Sequence, residues 1–366
     1  MKQQFPGNNN RRSVIILFCI ALCIRLFAAN DQLIEKYYSI ALYSNISIFF
    51  RFIFGWIPFS AGDVLYISAI LYCIRKCITL TKYIRNKSVG AIFKRAYLFG
   101  MLGKILMLYI IFNILWGLNY DRSGIRSQLK LEEQKYSKEA LEEINMMLID
   151  KVNACKTGSV NQNISYSTPA DVFKKTYGIY QQASVQYPFL QYKYKSVKSS
   201  FFGTIGNYLG FSGYYNPFTG EAQVNTTIPA FLQPYVCCHE VAHQLGYAKE
   251  NEANFVGYIV ATSSDDSLFM YSAYLDIFLY ANRNLWRTDS TSAKQFSEQL
   301  SPEVKKDIKT MKDFYRSFQN PVEPYITWAY GKYLQSNRQP SGMLSYSEVI
   351  GDIIAYHKKY GRIEGK

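Results

Sequence analysis

Apolar and polar positions are distributed unevenly along this chain. A polar, basic opening with Lys2, Arg11 and Arg12 gives way to a nearly unbroken apolar run from Ser13 to Ala29, interrupted only by Arg25. A second apolar region lies between Ile46 and Leu80. Its best spanning piece is Val64 to Ile78, extended toward Ala61, behind a break at Trp56-Ile57-Pro58-Phe59. A third run, Leu98 to Leu118, carries Lys104 near its start. Runs of this length predict three membrane-spanning helices, at residues 13–29, 61–79 and 98–118. A cleaved signal peptide competes for the first, with Phe27-Ala28-Ala29 as a loose cleavage site, but Arg25 interrupts the apolar run and further spans follow, which favours a retained anchor. The third run ends in Trp116-Gly117-Leu118-Asn119-Tyr120, an aromatic pattern of the kind found at membrane interfaces.

From Asp121 the pattern changes to that of a folded, water-exposed domain. Ser137 to Cys155 has helical spacing, with Leu141, Ile144, Met147 and Leu148 on one face and Ser137 as a capping start. Pro169 to Val185 predicts a second helix opened by its proline. Leu268 to Leu285, the stretch begun by Ser301-Pro302-Glu303, and two segments after Pro324 and Ser345 predict further helices. Between them, Tyr192 to Thr227 is punctuated by Gly203, Gly206, Gly210, Gly213 and Gly220 among aromatic and β-branched residues, which predicts short strands and turns. Asn216-Pro217-Phe218-Thr219-Gly220 suits a hairpin turn and Glu221 to Thr227 a strand. The expected class is α+β: a membrane anchor over 1–120 and a mostly helical domain with a small β element over 121–366.

Charge then changes the picture. The net charge of +14, from 41 basic and 27 acidic residues, invites a nucleic-acid reading. Seven of the basic residues (Arg75, Lys76, Lys82, Arg85, Lys87, Lys94 and Arg95) fall in the segment from Arg75 to Arg95, with no acid among them. The positive-inside rule holds that segment and residues 1–12 in the cytoplasm, leaving residues 121–366 outside. Much of the charge is thus a topology signal, and a nucleic-acid partner is not expected. Of the seven cysteines, Cys19, Cys23, Cys73 and Cys77 lie in apolar runs as small hydrophobes; no disulfide framework is expected.

The chain has three histidines, and two of them fall in His239-Glu240-Val241-Ala242-His243. Histidines four apart on a helix share a face and can bind one metal ion, while the intervening glutamate stands beside the metal to take a proton from its bound water. Pro234 can open this helix and Gly246 can close it. A catalytic zinc needs a third protein ligand and an open position. A histidine six residues beyond His243 is excluded because Lys249 stands there, so the third ligand is sought in Glu250 or Glu252. Glu250 shares a helix face with Ala253, Asn254 and Gly257, whose small residues allow close approach, and is preferred; Glu252 is the alternative. Cys237 and Cys238, next to His239, and Cys155 suit packing better than ligation. Tyr346 is a candidate to stabilise an oxyanion, though 32 tyrosines weaken any single choice, and His357 suits a solvated helix end.

Glu250-x-x-Ala253-Asn254 resembles the zinc-binding glutamate segment of membrane-bound gluzincin peptidases, with Asn254 in place of their aspartate. The three apolar runs, Trp116 to Tyr120, Gly213 to Glu221, and His239 through Phe255 together resemble the bacterial membrane protein family catalogued as domain of unknown function 3810. The resemblance implies a zincin-like metallopeptidase domain. The expected protein is a multi-pass bacterial membrane protein with a cytoplasmic N-terminus, binding Zn2+ through His239, His243 and Glu250. It would hydrolyse peptides or proteins at the cell envelope with Glu240 as base. The rival expectation is a non-catalytic envelope binding or sensor protein with a structural or vestigial zinc site. An intramembrane protease would require His239 inside an apolar span, against Gln233, Gln244, Lys249 and Glu250.

Overall fold

The computed structural model describes residues 7–85, 95–132, 135–161, 166 and 168–366. It is mostly helical, with one three-stranded sheet. Lys2, Lys87 and Lys94, invoked for topology, lie outside the described residues.

Among the described residues, two helices are long and apolar enough by themselves to cross a membrane, over Ala61–Lys82 and Leu98–Leu115. The expected span at 13–29 does not stand alone. Arg11–Phe27 passes only together with Asp31–Phe54, from which it is bent by 99°. Arg11, Arg12 and Arg25 shorten its apolar length below the ~20 residues that a bilayer core requires. The third run also ends earlier than expected, at Leu115. Trp116 to Tyr120 turns into a 3-10 segment whose aromatic residues are buried against Ile34, Tyr38, Tyr43 and Ala248. The Trp116 ring therefore belongs to the protein interior and not to a lipid interface.

The chain between the first two apolar helices is not a simple loop. It forms a π-helical segment Ile34–Tyr43 and a helix Ser44–Phe54 that bury Tyr43, Ser47 and Arg51. The Ala61–Arg85 helix is pinned at its start by Glu221, whose carboxylate accepts from the amides of Ala61 (3.2 Å) and Gly62 (2.5 Å). An anion at a helix N-terminus satisfies amides that have no partner within the helix. A helix long and apolar enough to cross a membrane is thereby fastened to the sheet.

That sheet has the order β1-β3-β2, with β1 Val197–Ser199, β2 Gly213–Asn216 and β3 Glu221–Val224. The β2–β3 pair is the expected hairpin, closed by Gly220 at φ 66°. β1 joins β3 in parallel, Val197 opposite Ala222. The glycines at 203 and 206 do not mark turns: Gly203–Leu209 is a short helix, ended by Gly210 in the left-handed region. An added Cβ at Gly206 would meet the Phe211 ring at 2.8 Å, so close packing is what selects this glycine.

The main core lies between helices Lys138–Asn161, Pro169–Gln186, Gln233–Gln244, Glu250–Thr262 and Ser267–Thr288. Side-chain caps open several of the helices, at Ser137 and Ser301 as expected and at Thr168 in addition. Ser137 accepts from the Ala140 amide at 3.3 Å, Thr168 and Asp171 form a reciprocal capping box before Pro169, and Ser301 accepts from Val304. Along Ser267–Thr288, Phe269, Leu275, Phe278, Ala281 and Leu285 are buried at helical spacing, which holds this helix in the centre of the domain.

Candidate metal centre

The helix Gln233–Gln244 carries His239, Glu240 and His243; we refer to it as the motif helix. Pro234 sits in its first turn, and Gly246 follows its end at φ 91°. The next helix, Glu250–Thr262, crosses close by. An added Cβ at Gly257 would stand 3.0 Å from the His239 amide nitrogen and 3.2 Å from its Cα. Glycine thus lets the two backbones approach until Glu250 faces the imidazoles.

The result is one buried group of three. Glu250 Oε2 lies 3.3 Å from His239 Nε2 and 3.6 Å from His243 Nε2. The three ligand atoms all fall within 4.8 Å of one another, a set able to hold a metal ion. His243 Nδ1 donates to the Tyr247 carbonyl at 2.7 Å, which turns Nε2 toward Glu250. Trp116 meets the His243 ring edge-on at 6.0 Å between centroids. Glu250 Oε1 accepts from the Tyr330 hydroxyl at 2.8 Å, and the Glu250 amide donates to Gln339 Oε1 at 2.8 Å. Glu250 Oε2 has no hydrogen-bond donor of its own, so its inward oxygen is buried and available.

Electrostatics tie the group together. Burial alone would raise the Glu250 carboxyl, but His239 and His243 pull it well below the usual carboxylate range. Burial would lower the His243 imidazole, yet Glu250 and Glu240 raise it to about 9. Opposite charges in a low-dielectric pocket stabilise each other. Two imidazoles gathered on one carboxylate oxygen share a single centre of charge, the position that a divalent cation fits.

Glu240 is not a member of the group. It is buried beside it, and burial pushes its carboxyl up to about 7, with His239 and His243 opposing. Its Oε2 has no hydrogen-bond partner, and its Oε1 lies against Gly213 in β2, where any Cβ would collide with it. β2 pairs with β3 on one side only, so its other edge is open in the sheet. Thus the glutamate beside the metal position also borders a strand edge.

The sequence candidates divide cleanly. Glu252 points away from the histidines, toward Gly124, with Lys249 Nζ 3.4 Å from its Oε1, and so does not join the group as the alternative ligand. Cys237 and Cys238 are fully buried free thiols outside it, and Cys155 is buried outside it as well. Tyr346 is near: its hydroxyl lies 3.4 Å from that of Tyr330, and burial with the charge of Glu250 raises it well above the ordinary phenol. His357 is remote, on the last helix, 3.4 Å from Glu143. Sequence reasoning missed Tyr330 and Gln339, which arrive from 80 and 89 positions along the chain. It missed also the support of the motif helix end. Gln244 O accepts from Tyr43 Oη (3.1 Å), Ser47 Oγ (2.7 Å) and Arg51 Nη1 (3.1 Å), and the Gln244 side-chain Nε2 donates to the Ser196 and Gly220 carbonyls. Only polar residues buried within an apolar-looking segment hinted at this.

Residues 38–354 match the family described as protein of unknown function (DUF3810), and the chain belongs to that family. No curated protein and no solved structure matches it.

Proposed function

We propose that this member of the DUF3810 family is a membrane-anchored, zinc-dependent metallopeptidase of gluzincin type. The observation that carries the reading is the convergence of His239 Nε2 and His243 Nε2 on Glu250 Oε2, with the unpartnered Glu240 carboxylate alongside. Nitrogen and carboxylate donors in a set of three suit zinc, and among the described residues no fourth His, Cys, Asp or Glu completes the group, as a structural site would demand. A zinc ion held there supplies Lewis acidity, lowering the pKa of water and polarising a carbonyl.

The remaining work belongs to the chain. Glu240 takes a proton from the attacking water and returns it to the leaving amine. Tyr346, whose hydroxyl lies 3.4 Å from that of Tyr330, is positioned to donate to the developing oxyanion. The open edge of β2, bordered by Glu240, receives an extended peptide through backbone hydrogen bonds. The basic residues Arg75, Lys76, Lys82 and Arg85 at the far end of the Ala61–Arg85 helix favour a cytoplasmic location for that end, which sets the domain outside. The first apolar helix then acts as a third membrane passage, and its bent continuation packs on the end of the motif helix.

The test is metal content and peptide hydrolysis by the full chain in lipid nanodiscs. Glu240→Gln keeps one equivalent of zinc and loses hydrolysis, while Glu250→Ala loses the metal. Unchanged hydrolysis in Glu240→Gln sinks the assignment of the base; unchanged metal content in Glu250→Ala sinks that of the ligand.

A further inference from the structure

We propose that the domain makes a second contact with the bilayer, through an aromatic surface on the Gly203–Leu209 helix and the Glu323–Ser336 helix that lies in the lipid headgroup region. Phe201, Ile205, Tyr208, Val322, Tyr325 and Trp328 all expose large apolar side chains, with Tyr325 at 73% and Trp328 at 66%. Residues 199–220 contain no Asp, Glu, Lys or Arg, and neither do residues 324–331. Glu323, half-buried between them and facing Gly210, is the charged residue that interrupts these stretches; an aromatic surface this sparse in charge marks an interaction site.

Its position identifies the occupant as lipid. Phe59, two residues before the Ala61–Lys82 span, stacks on Phe201 at 6.5 Å, and the Phe201 amide donates to Asp63 at 2.7 Å in the first turn of that span. The surface therefore begins where the chain enters the membrane. Trp56, 79% exposed, precedes the same span. From there the patch runs on without a break: Tyr208 packs edge-on against Phe318 at 5.0 Å, and Asn320 donates to the Tyr208 carbonyl at 2.7 Å just before the Glu323–Ser336 helix starts. Tryptophan and tyrosine suit this depth, since each ring sits at the acyl boundary while its N–H or O–H meets headgroup and water. Trp286 supplies the contrast: it is also exposed, but on Ser267–Thr288 between Arg283 and Arg287. The Glu323–Ser336 helix also carries Tyr330, the donor to Glu250, so lipid contact and the metal group share one rigid element.

The experiment uses the full chain in nanodiscs. Three versions each retain one of Trp56, Trp286 or Trp328, with Trp116 and the other two replaced by Phe, and emission is compared between ordinary and brominated lipids. Trp328 is expected to lose emission in brominated lipid to the same extent as Trp56, while Trp286 keeps its own and is quenched by aqueous iodide. Trp328 quenched by iodide and untouched by bromine overturns the proposal, and so does Trp328 shielded from both, the mark of a second protein copy on this surface. Should the triple replacements fail to fold, the natural sequence is labelled with a photoactivatable phospholipid and the adducts are mapped. Adducts within 201–208 and 322–328 support the contact; adducts confined to the spans overturn it.

Discussion

Tyr330 and Glu250, 80 residues apart, share a hydrogen bond of 2.8 Å that fixes which carboxylate oxygen turns toward the histidines. Oε1 accepts the phenol, and Oε2 is left facing His239 and His243. A partner that orients a ligand typically contributes 10–100-fold to metal affinity. Tyr330→Phe should therefore bind zinc roughly tenfold or more weakly, with an unchanged circular dichroism spectrum. A competition titration with a chromophoric chelator reads the difference, and equal affinity would show that Glu250 is held without the phenol.

Gly257 sets the distance between the motif helix and the helix that bears Glu250. A valine there would press its Cβ against the His239 backbone, 3.0–3.2 Å away, and backbone yields less readily than a side-chain end. Overpacking of this kind costs about 1–3 kcal/mol, more than the few tenths of a kcal/mol by which valine exceeds glycine in helix propensity. Gly257→Val should lower the thermal midpoint and weaken metal binding together. A loss of one without the other would separate the packing of these helices from the geometry of the group.

Arg51 is nearly fully buried and donates to the Lys193 carbonyl (2.9 Å), the Gln244 carbonyl (3.1 Å) and Ser47. It closes the C-terminal end of the motif helix, where cations are favoured and carbonyls have no partner within the helix. Arg51→Met keeps much of the side-chain volume but removes the donor to the Lys193 carbonyl and one of three donors to that of Gln244, at a cost of about 2–3 kcal/mol. The expected fall in thermal midpoint is roughly 5–10 °C. A change within a degree would mean that Tyr43 and Ser47 satisfy the helix end by themselves.

Asp352 is fully buried beside the start of the Glu250 helix, bonded to Arg126 and to Asn251 Nδ2 at 3.2 Å. Burial pushes its carboxyl up to about 6, against the opposing pull of Arg126 and Asn251. Between the ordinary carboxylate range near 4 and this value, the folded chain holds a proton that the unfolded chain has released. Stability contributed by this group is therefore greatest below pH ~4 and is lost as pH rises toward ~6. The wild-type chain should lose stability relative to Asp352→Asn across that window, by on the order of 2 kcal/mol. Midpoints of both proteins from pH 4 to 7 give the comparison; a constant difference would contradict the raised carboxyl.

Local sequence chemistry determined a good deal by itself. Periodicity and caps defined the helices that begin near Ser137, Pro169 and Ser301, because such signals act within one turn. The four-residue spacing of His239 and His243 fixed a common face, and the small residues following Glu250 indicated which acid approaches it. The hairpin from Gly213 to Val224 was also legible, through its turn residues and alternation.

Tertiary structure alone decided the rest. Trp116 read as an interfacial residue and is instead packed on His243; Tyr43 and Arg51 read as part of an anchor and instead close the motif helix. Tyr330 was one tyrosine among 32. Each of these contacts joins segments separated by scores of residues. Hydropathy reports only whether a side chain leaves water, and lipid and protein interior satisfy an apolar residue equally well. Which of the two receives it depends on where the chain returns, and that is settled by the packing of the whole domain around His239, His243 and Glu250.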